Sequence, residues 1–220
     1  MKNFSIFFFL LLMAHLFAIT FRSDFPFLEW LTKPALLISL GIYFYFESKK
    51  GEILRGAQRT LILAAIIFSC LGDIILLFEN MFVFGLGLFL RVHVCYISAF
   101  IQDNRGWIFT KKDRWFWVIP VGLYGIAFMS YLFPHLGAMT IPVCVYSLAI
   151  ITMFLTVINR WKSVSYNSFW WVLIGAIFFC LSDSLLAVNM FAQPIPMGNI
   201  WVITTYAVGQ YLMILGSLKK

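Results

Sequence analysis

Two aspartates set in apolar sequence are the residues best placed to do chemistry. Asp73 closes the run Ser69-Cys-Leu-Gly-Asp73-Ile-Ile-Leu76, and Asp183 stands in Phe179-Cys-Leu-Ser-Asp183-Ser-Leu-Leu186. The shared pattern Cys-Leu-(Gly/Ser)-Asp-x-(Ile/Leu)-Leu recurs half of the 220-residue chain later. An ionised carboxylate near the centre of a bilayer costs about 2.5–3.5 kcal/mol even on a lenient insertion scale. That cost, met twice at one depth, predicts a shared polar cavity between the two helices that carry the aspartates. Two carboxyls in one low-dielectric cavity do not ionise together. One keeps a proton while the other carries charge, which makes an acid and a base for proton-transfer chemistry. The bland alternative is a hydrogen bond from each aspartate that ties neighbouring helices.

The other polar residues inside apolar sequence fall into place around this pair. Lys33 precedes Pro34. It is suited to pair with an aspartate, to bind a lipid phosphate, or to snorkel to the interface. His93 reads as either a hydrogen-bonded packing residue or a catalytic group. Arg91, two residues away, faces another side of the same helix and calls for a carboxylate or phosphate partner. Tyr96, Tyr206, Gln210 and Tyr211 line a cavity or pack. Glu79, Asn80 and Asn189 read as helix-end polarity. Gly85 and Gly87 suit close helix packing, and Trp115, Trp117, Trp170 and Trp171 an interfacial belt. Cys70, Cys95, Cys144 and Cys180 all lie in apolar runs, and no CxxC or HExxH pattern occurs. Neither a disulfide framework nor a metal site is expected.

The elements that must hold these residues follow from composition. Hydrophobic residues make up 62% of the chain and charged ones 11%, against about 25% charged in an average soluble domain. Soluble globular, disordered, coiled-coil and disulfide-framed classes are excluded, leaving an integral membrane protein. Eight apolar segments are legible, at about 4–20, 34–48, 58–78, 81–101, 115–133, 138–158, 168–189 and 199–217. The second is the shortest, fitting a short, tilted or partly inserted helix. The first resembles a signal peptide in having Lys2 before an apolar run, but its length favours a retained helix. The fold expected is all-α: one integral membrane domain over 1–220, in a four-plus-four parallel repeat with halves of about 1–110 and 111–220. Asp73 and Asp183 then lie about 15 residues into helices 3 and 7, roughly 22 Å along each axis.

The net charge of +7 reads as a topology signal and not as a nucleic-acid patch. With the N-terminus cytoplasmic, thirteen of the 16 Lys and Arg residues fall on that side: Lys2, Lys49, Lys50, Arg55, Arg59, Arg105, Lys111, Lys112, Arg114, Arg160, Lys162, Lys219 and Lys220. Only Arg22 and Lys33 fall on the other, with Arg91 inside a span. Both termini are therefore expected in the cytoplasm.

Several pieces in order resemble the YhhN family of eight-helix membrane proteins, the lysoplasmalogenases. Thr32-Lys33-Pro34 opens helix 2, and Ser69 to Asp73 closes helix 3. Phe84-Gly-Leu-Gly87-Leu-Phe89 and His93-Val-Cys-Tyr96 fill helix 4. Ser182-Asp183, Asn189 and Phe191 mark helix 7, and Tyr206-Ala-Val-Gly-Gln210 marks helix 8. The pieces run from residue 32 to 210; Arg91 is not among them. The resemblance implies hydrolysis of the vinyl ether bond of a lysoplasmalogen to a fatty aldehyde and a glycerophospho-ethanolamine or -choline, with no cofactor. Asp73 and Asp183 are then the catalytic carboxyls, their acid and base roles not divided between them. Lys33 or Arg91 holds the phosphate. His93, Asn189, Tyr206 and Gln210 orient water and glycerol, with Tyr96 and Ser182 completing the substrate-binding set. The partners implied are a lysophospholipid substrate and membrane lipid.

Other classes remain open on sequence alone. An intramembrane aspartyl protease would need Gly where Cys70 stands and a Tyr-Asp partner that no helix supplies. A small transporter fits paired half-molecules, although only Gly72 offers a helix break beside an aspartate. A non-catalytic lipid-binding scaffold is the third class. Short loops favour a bacterial inner membrane, with the endoplasmic reticulum as the eukaryotic counterpart.

Overall fold

The computed structural model describes residues 2–50, 54, 56–103 and 115–220. Arg55, Arg105, Lys111, Lys112 and Arg114, which contribute to the charge asymmetry, lie outside the described residues. Eight helices follow in chain order: α1 (Lys2–Thr20), α2 (Pro26–Lys49), α3 (Gly56–Ile75), α4 (Phe82–Ile101), α5 (Trp115–Leu132), α6 (Thr140–Asn159), α7 (Tyr166–Ala187) and α8 (Gly198–Ser217). Each is long and apolar enough to cross a membrane. Among the described residues the chain is an all-α integral membrane bundle.

The largest departure from the sequence reading is α2. It starts at Pro26, eight residues before Pro34, and runs for 24 residues, so it is a full span. Pro26 is favoured at the first turn because its missing N–H has no intrahelical partner there. Glu29 suits the positive end of the helix dipole and pairs with Arg22 at 3.0 Å. Pro34 lies inside the helix and removes one backbone bond without ending it. Lys33 is thus the eighth residue of α2 and sits roughly 10 Å along it, not at its start.

The bundle is organised around α8, the most deeply buried span. Its contact with α7 is backbone against backbone. A Cβ on Gly209 would stand 2.8 Å from the Phe179 nitrogen, and one on Gly175 would stand 2.7 Å from the Met213 nitrogen. The α3–α4 pair packs less closely: a Cβ at Gly85 meets only the flexible Leu76 side chain. Gly87, read as a second packing glycine, has nothing within 4 Å of its would-be Cβ. Helix α1 packs into the bundle as well. Phe4 stacks on Tyr43 of α2, and Tyr211 of α8 donates to Ser5 Oγ at 2.6 Å.

One end of the bundle is closed by a buried charge cluster. Asp103, just past α4, accepts from Gln58 Nε2 at 2.8 Å and from Arg160 Nε at 2.7 Å, and pairs with Lys220. Arg160 is fully buried, donates to Ser168 Oγ at 2.9 Å and covers the Phe100 ring. The cluster ties the ends of α3, α4, α6, α7 and α8 and leaves the aspartate-bearing ends of α3 and α7 at the opposite face.

Gly209→Ala is expected to destabilise the protein by about 1–3 kcal/mol, as overpacking of a closed contact does. Gly87→Ala should change stability by no more than about 0.5 kcal/mol. Thermal unfolding in detergent distinguishes the two.

Candidate active site

Asp73 and Asp183 are each the eighteenth residue of their helix, counted from Gly56 and Tyr166. They stand at matching depth, but in different surroundings. Helices α3 and α7 are separated by α4 and α8, whose side chains fill the space between the carboxyls. A single cavity shared by the two aspartates is therefore not what the packing produces.

Asp73 is nearly inaccessible. Its Oδ1 lies 3.9 Å from Lys33 Nζ, while its Oδ2 has no hydrogen-bond partner among the described residues. The buried Tyr206 hydroxyl faces both Asp73 and Ser69 without reaching hydrogen-bond geometry to either. Ser69 Oγ accepts from Gln210 Nε2 at 2.8 Å, and Gln210 Oε1 accepts from the Tyr96 hydroxyl at 2.7 Å. Lys33, Asp73, Tyr206, Ser69, Gln210 and Tyr96 thus form one polar seam through α2, α3, α8 and α4. His15 of α1 joins its edge. The Thr32 hydroxyl donates to the Leu28 carbonyl at 2.7 Å, so His15 Nδ1–H is the donor in its 2.8 Å bond to Thr32 Oγ1. The other His15 nitrogen, Nε2, is buried without a partner.

Asp183 heads a second cluster. Its Oδ2 accepts from the Tyr146 hydroxyl at 3.1 Å and lies 3.6 Å from His93 Nε2. His93 is fully buried, and its Nδ1 lies 2.7 Å from the Phe89 carbonyl. A carbonyl only accepts, so Nδ1 carries a proton and Nε2 turns to Asp183. At 3.6 Å the two are close enough for a proton to pass through a small approach of either side chain. Beside them Ser184 Oγ donates to the Cys180 carbonyl at 2.8 Å and takes the Tyr124 hydroxyl at 2.6 Å. Unlike Asp73, Asp183 opens onto a cavity of about 440 Å³ between α4, α5, α6 and α7, and among the described residues it is the one charged group in the lining. The two clusters meet through aromatic rings: Tyr206 lies edge-on to Phe89 (5.8 Å) and Phe179 (5.7 Å), and Phe179 edge-on to His93 (5.2 Å).

Three expected site residues are elsewhere. Arg91 is exposed on the outer face of α4, with only a 3.4 Å contact to the Gly87 carbonyl. Ser182 is turned away from the cavity and donates to the Val202 carbonyl of α8 at 2.9 Å. Asn189 sits in a π turn after α7, where its Oδ1 accepts the Ile195 N–H at 2.9 Å and shapes the α7–α8 connection. Conversely, Tyr146, Tyr124 and His15 were not singled out from sequence. A signal existed for Tyr146, because a tyrosine well inside a span, away from the interfacial belts, needs a polar partner.

Sequence comparison assigns the chain to a family. Residues 28–217 match the YhhN family. The chain belongs to that family. The lysoplasmalogenase of Mycobacterium tuberculosis is 30% identical over 195 residues, covering 84% of this chain and 69% of that protein. Lysoplasmalogenase TMEM86B of Homo sapiens is 30% identical over 170 residues, covering 75% of this chain and 66% of that protein. Lysoplasmalogenase TMEM86A of Homo sapiens is 30% identical over 182 residues, 77% of this chain and 70% of that protein. The chain spans about two thirds of the length of these relatives. No solved structure matches it. The matched region begins after α1, so His15 lies outside it.

The seam is testable as a unit. Gln210→Leu removes a partner from both Tyr96 and Ser69 and is expected to cost about 0.6–2 kcal/mol, the range of interhelical hydrogen bonds in membranes. Adding Tyr96→Phe should cost little more, and a double-mutant cycle on thermal unfolding measures that coupling.

Proposed function

We propose that this protein is a lysoplasmalogenase, hydrolysing the vinyl ether of a lysophospholipid to a fatty aldehyde and a glycerophospho-alcohol. Membership of the YhhN family and three relatives named lysoplasmalogenase support the reaction class. The observation that carries the reading is Asp183, a carboxyl held by a phenol and an imidazole on the wall of an otherwise apolar cavity. A lipid whose only polar bond near its chain is a vinyl ether fits such a wall.

The first step is transfer of the Asp183 proton to the vinyl carbon β to oxygen. The electron pair of the double bond forms the new C–H bond, and the neighbouring carbon becomes an oxocarbenium ion. The carboxylate left behind keeps its hydrogen bond from Tyr146 and lies against the cation. Water adds to the oxocarbenium carbon and returns a proton to Asp183, with His93 Nε2 beside it as a second acceptor. The hemiacetal then breaks its C–O bond as its hydroxyl proton passes to the departing oxygen, giving aldehyde and alcohol. The logic is that of glycoside hydrolysis, where a carboxylic acid opens the reaction and a carboxylate steadies an oxocarbenium ion. Asp73 takes a different part: it lies 3.9 Å from Lys33 in the seam behind the cavity, and that seam positions Tyr206 against Phe89 and Phe179.

The same reading places the chain as a four-plus-four parallel repeat with both termini cytoplasmic, in a bacterial inner membrane. The positive-inside count supports the orientation. A single cysteine introduced at Lys2 in a variant lacking the native cysteines should be labelled by impermeant maleimide only after the membrane is opened.

The direct test is mass spectrometry of products from purified protein and a lysoplasmalogen, beside the ester-linked lysophospholipid. Aldehyde is expected from the vinyl ether alone. Asp183→Asn should lose 10²–10⁴-fold in kcat, the scale of general acid catalysis, and still bind lipid. Asp73→Asn should keep most of kcat and act mainly on thermal stability. No aldehyde from folded wild-type protein with either head group overturns the reading, and equal kcat losses in both variants overturn the division of roles.

A further inference from the structure

Helices α2 and α3 leave an apolar groove of about 370 Å³ between them, away from the cavity of Asp183. Leu37, Gly41 and Ile66 lie low in it, and the more exposed Ile38, Ile42, Phe46 and Ile67 stand along its rims. Three contacts fix the antiparallel register of its walls. Cys70 Sγ lies 3.9 Å from the Pro34 carbonyl, a Cβ on Gly41 would stand 3.2 Å from Ile66 Cγ2, and Arg59 Nη2 donates to the Ser48 carbonyl at 2.6 Å. The lining runs from Leu37 to Phe46 on α2 and from Leu63 to Leu71 on α3, or roughly 14 and 12 Å along the two axes. One turn beyond the lining, each wall ends in a cation. Lys49 follows Tyr45 by four residues on α2, and Arg59 precedes Leu63 by four on α3, so both continue the faces that line the groove. Lys49 is exposed and lies over the Tyr45 ring at 3.9 Å. Arg59 makes its bond to Ser48, and its Nε has no partner among the described residues. The acids described at this end are already engaged: Glu47 by Lys50 at 2.6 Å, and Asp103 by Arg160 and Lys220.

We propose that this groove binds an anionic phospholipid, with one acyl chain along the groove and the phosphate between Lys49 and Arg59. The site is separate from the Asp183 cavity and does not rest on the lysoplasmalogenase reading. Length selects the occupant. The hydrocarbon core of a bilayer is about 30 Å thick, and the groove covers about half of it, starting from the basic end. That is the reach of a lipid chain in one leaflet. A spanning helix of a second copy would need a complementary face along the whole thickness. Charge selects the kind of lipid. Bulk lipid tails are as apolar as the groove walls, so the acyl chain alone gives little preference over its neighbours. The headgroup decides, because an anionic lipid gains from each Lys or Arg near the membrane surface, and a guanidinium can hold a phosphate through two parallel hydrogen bonds.

The test is native mass spectrometry of the full-length protein released from detergent with dioleoyl phosphatidylglycerol or dioleoyl phosphatidylcholine, which share their chains and differ in charge. Wild type is expected to retain phosphatidylglycerol at least fivefold better. Lys49→Gln and Arg59→Gln should each lower that ratio about fivefold, the scale of one cation at an anionic surface. Lys162→Gln, at an exposed position in the α6–α7 connection, should leave it unchanged. Ile67→Trp narrows the groove and should reduce retention of both lipids, whereas Leu148→Trp, on the exposed face of α6 outside the lining, should not. Thermal unfolding of each variant checks its fold. If Arg59→Gln does not fold, Lys49→Gln and Ile67→Trp, both at exposed positions, carry the test. The site is overturned if wild type shows no preference for phosphatidylglycerol, or if the preference survives in folded Lys49→Gln and Ile67→Trp. It is also overturned if wild type is a dimer that Ile67→Trp separates without changing lipid retention, since the groove then receives a second copy.

Discussion

The structure depends on how closely α7 and α8 approach. Glycines at 175 and 209 let the two backbones touch, and a side chain at either position would strike backbone atoms of the other helix. In lipid no hydrophobic force draws helices together, so close van der Waals contact and interhelical hydrogen bonds carry association. With α8 drawn against α7, its remaining faces are free for α1, α3 and α4. That places Tyr206 and Gln210 at the centre of the molecule, where each reaches a different helix.

The polar residues then follow from what a membrane interior permits. A buried polar group without a partner is costly, and more so in low dielectric. The bundle answers with compact clusters. At one end Asp103 and Arg160 neutralise each other and leave the helix ends fixed. In the middle Tyr96, Gln210 and Ser69 satisfy one another. Among the described residues, buried atoms without a hydrogen bond occur at both ends: Arg160 Nη1, Arg59 Nε and Trp170 Nε1 at the closed end, and Asp73 Oδ2, Tyr206 Oη and His93 Nε2 toward the aspartates. A buried polar atom without a partner calls for a reason of its own, such as strain, a bound water or a catalytic role.

Much of this was legible in the sequence, for a physical reason. Charge is so costly in an apolar span that Asp73 and Asp183 announce themselves, and eight apolar stretches set the number of helices. Three things were hidden. The start of α2 was obscured because Pro34 reads as a helix start, whereas a proline inside a membrane helix is tolerated when neighbours support the backbone. The pairing of Asp103 with Arg160 was invisible because residues far apart in sequence meet only after packing. Tyr146 and Tyr124 were lost among 25 phenylalanines and nine tyrosines, since a tyrosine that packs and one that hydrogen-bonds a carboxyl share the same apolar setting. Arg91 shows the converse. Its charge drew notice, but its helix face carries it outward to lipid.

The repeated aspartate motif sharpens the point that partners, not sequence, assign roles. The two carboxyls occupy the same position in their helices and nearly the same local sequence. One faces an ammonium 3.9 Å away and is sealed within the bundle; the other faces a phenol and an imidazole and looks onto a cavity. A cation beside a carboxyl favours its charged form, whereas an imidazole and a phenol on an apolar wall let it hold or release a proton at little electrostatic cost. One motif used twice therefore gives two carboxyls in unlike settings, one beside an ammonium and one beside a phenol and an imidazole.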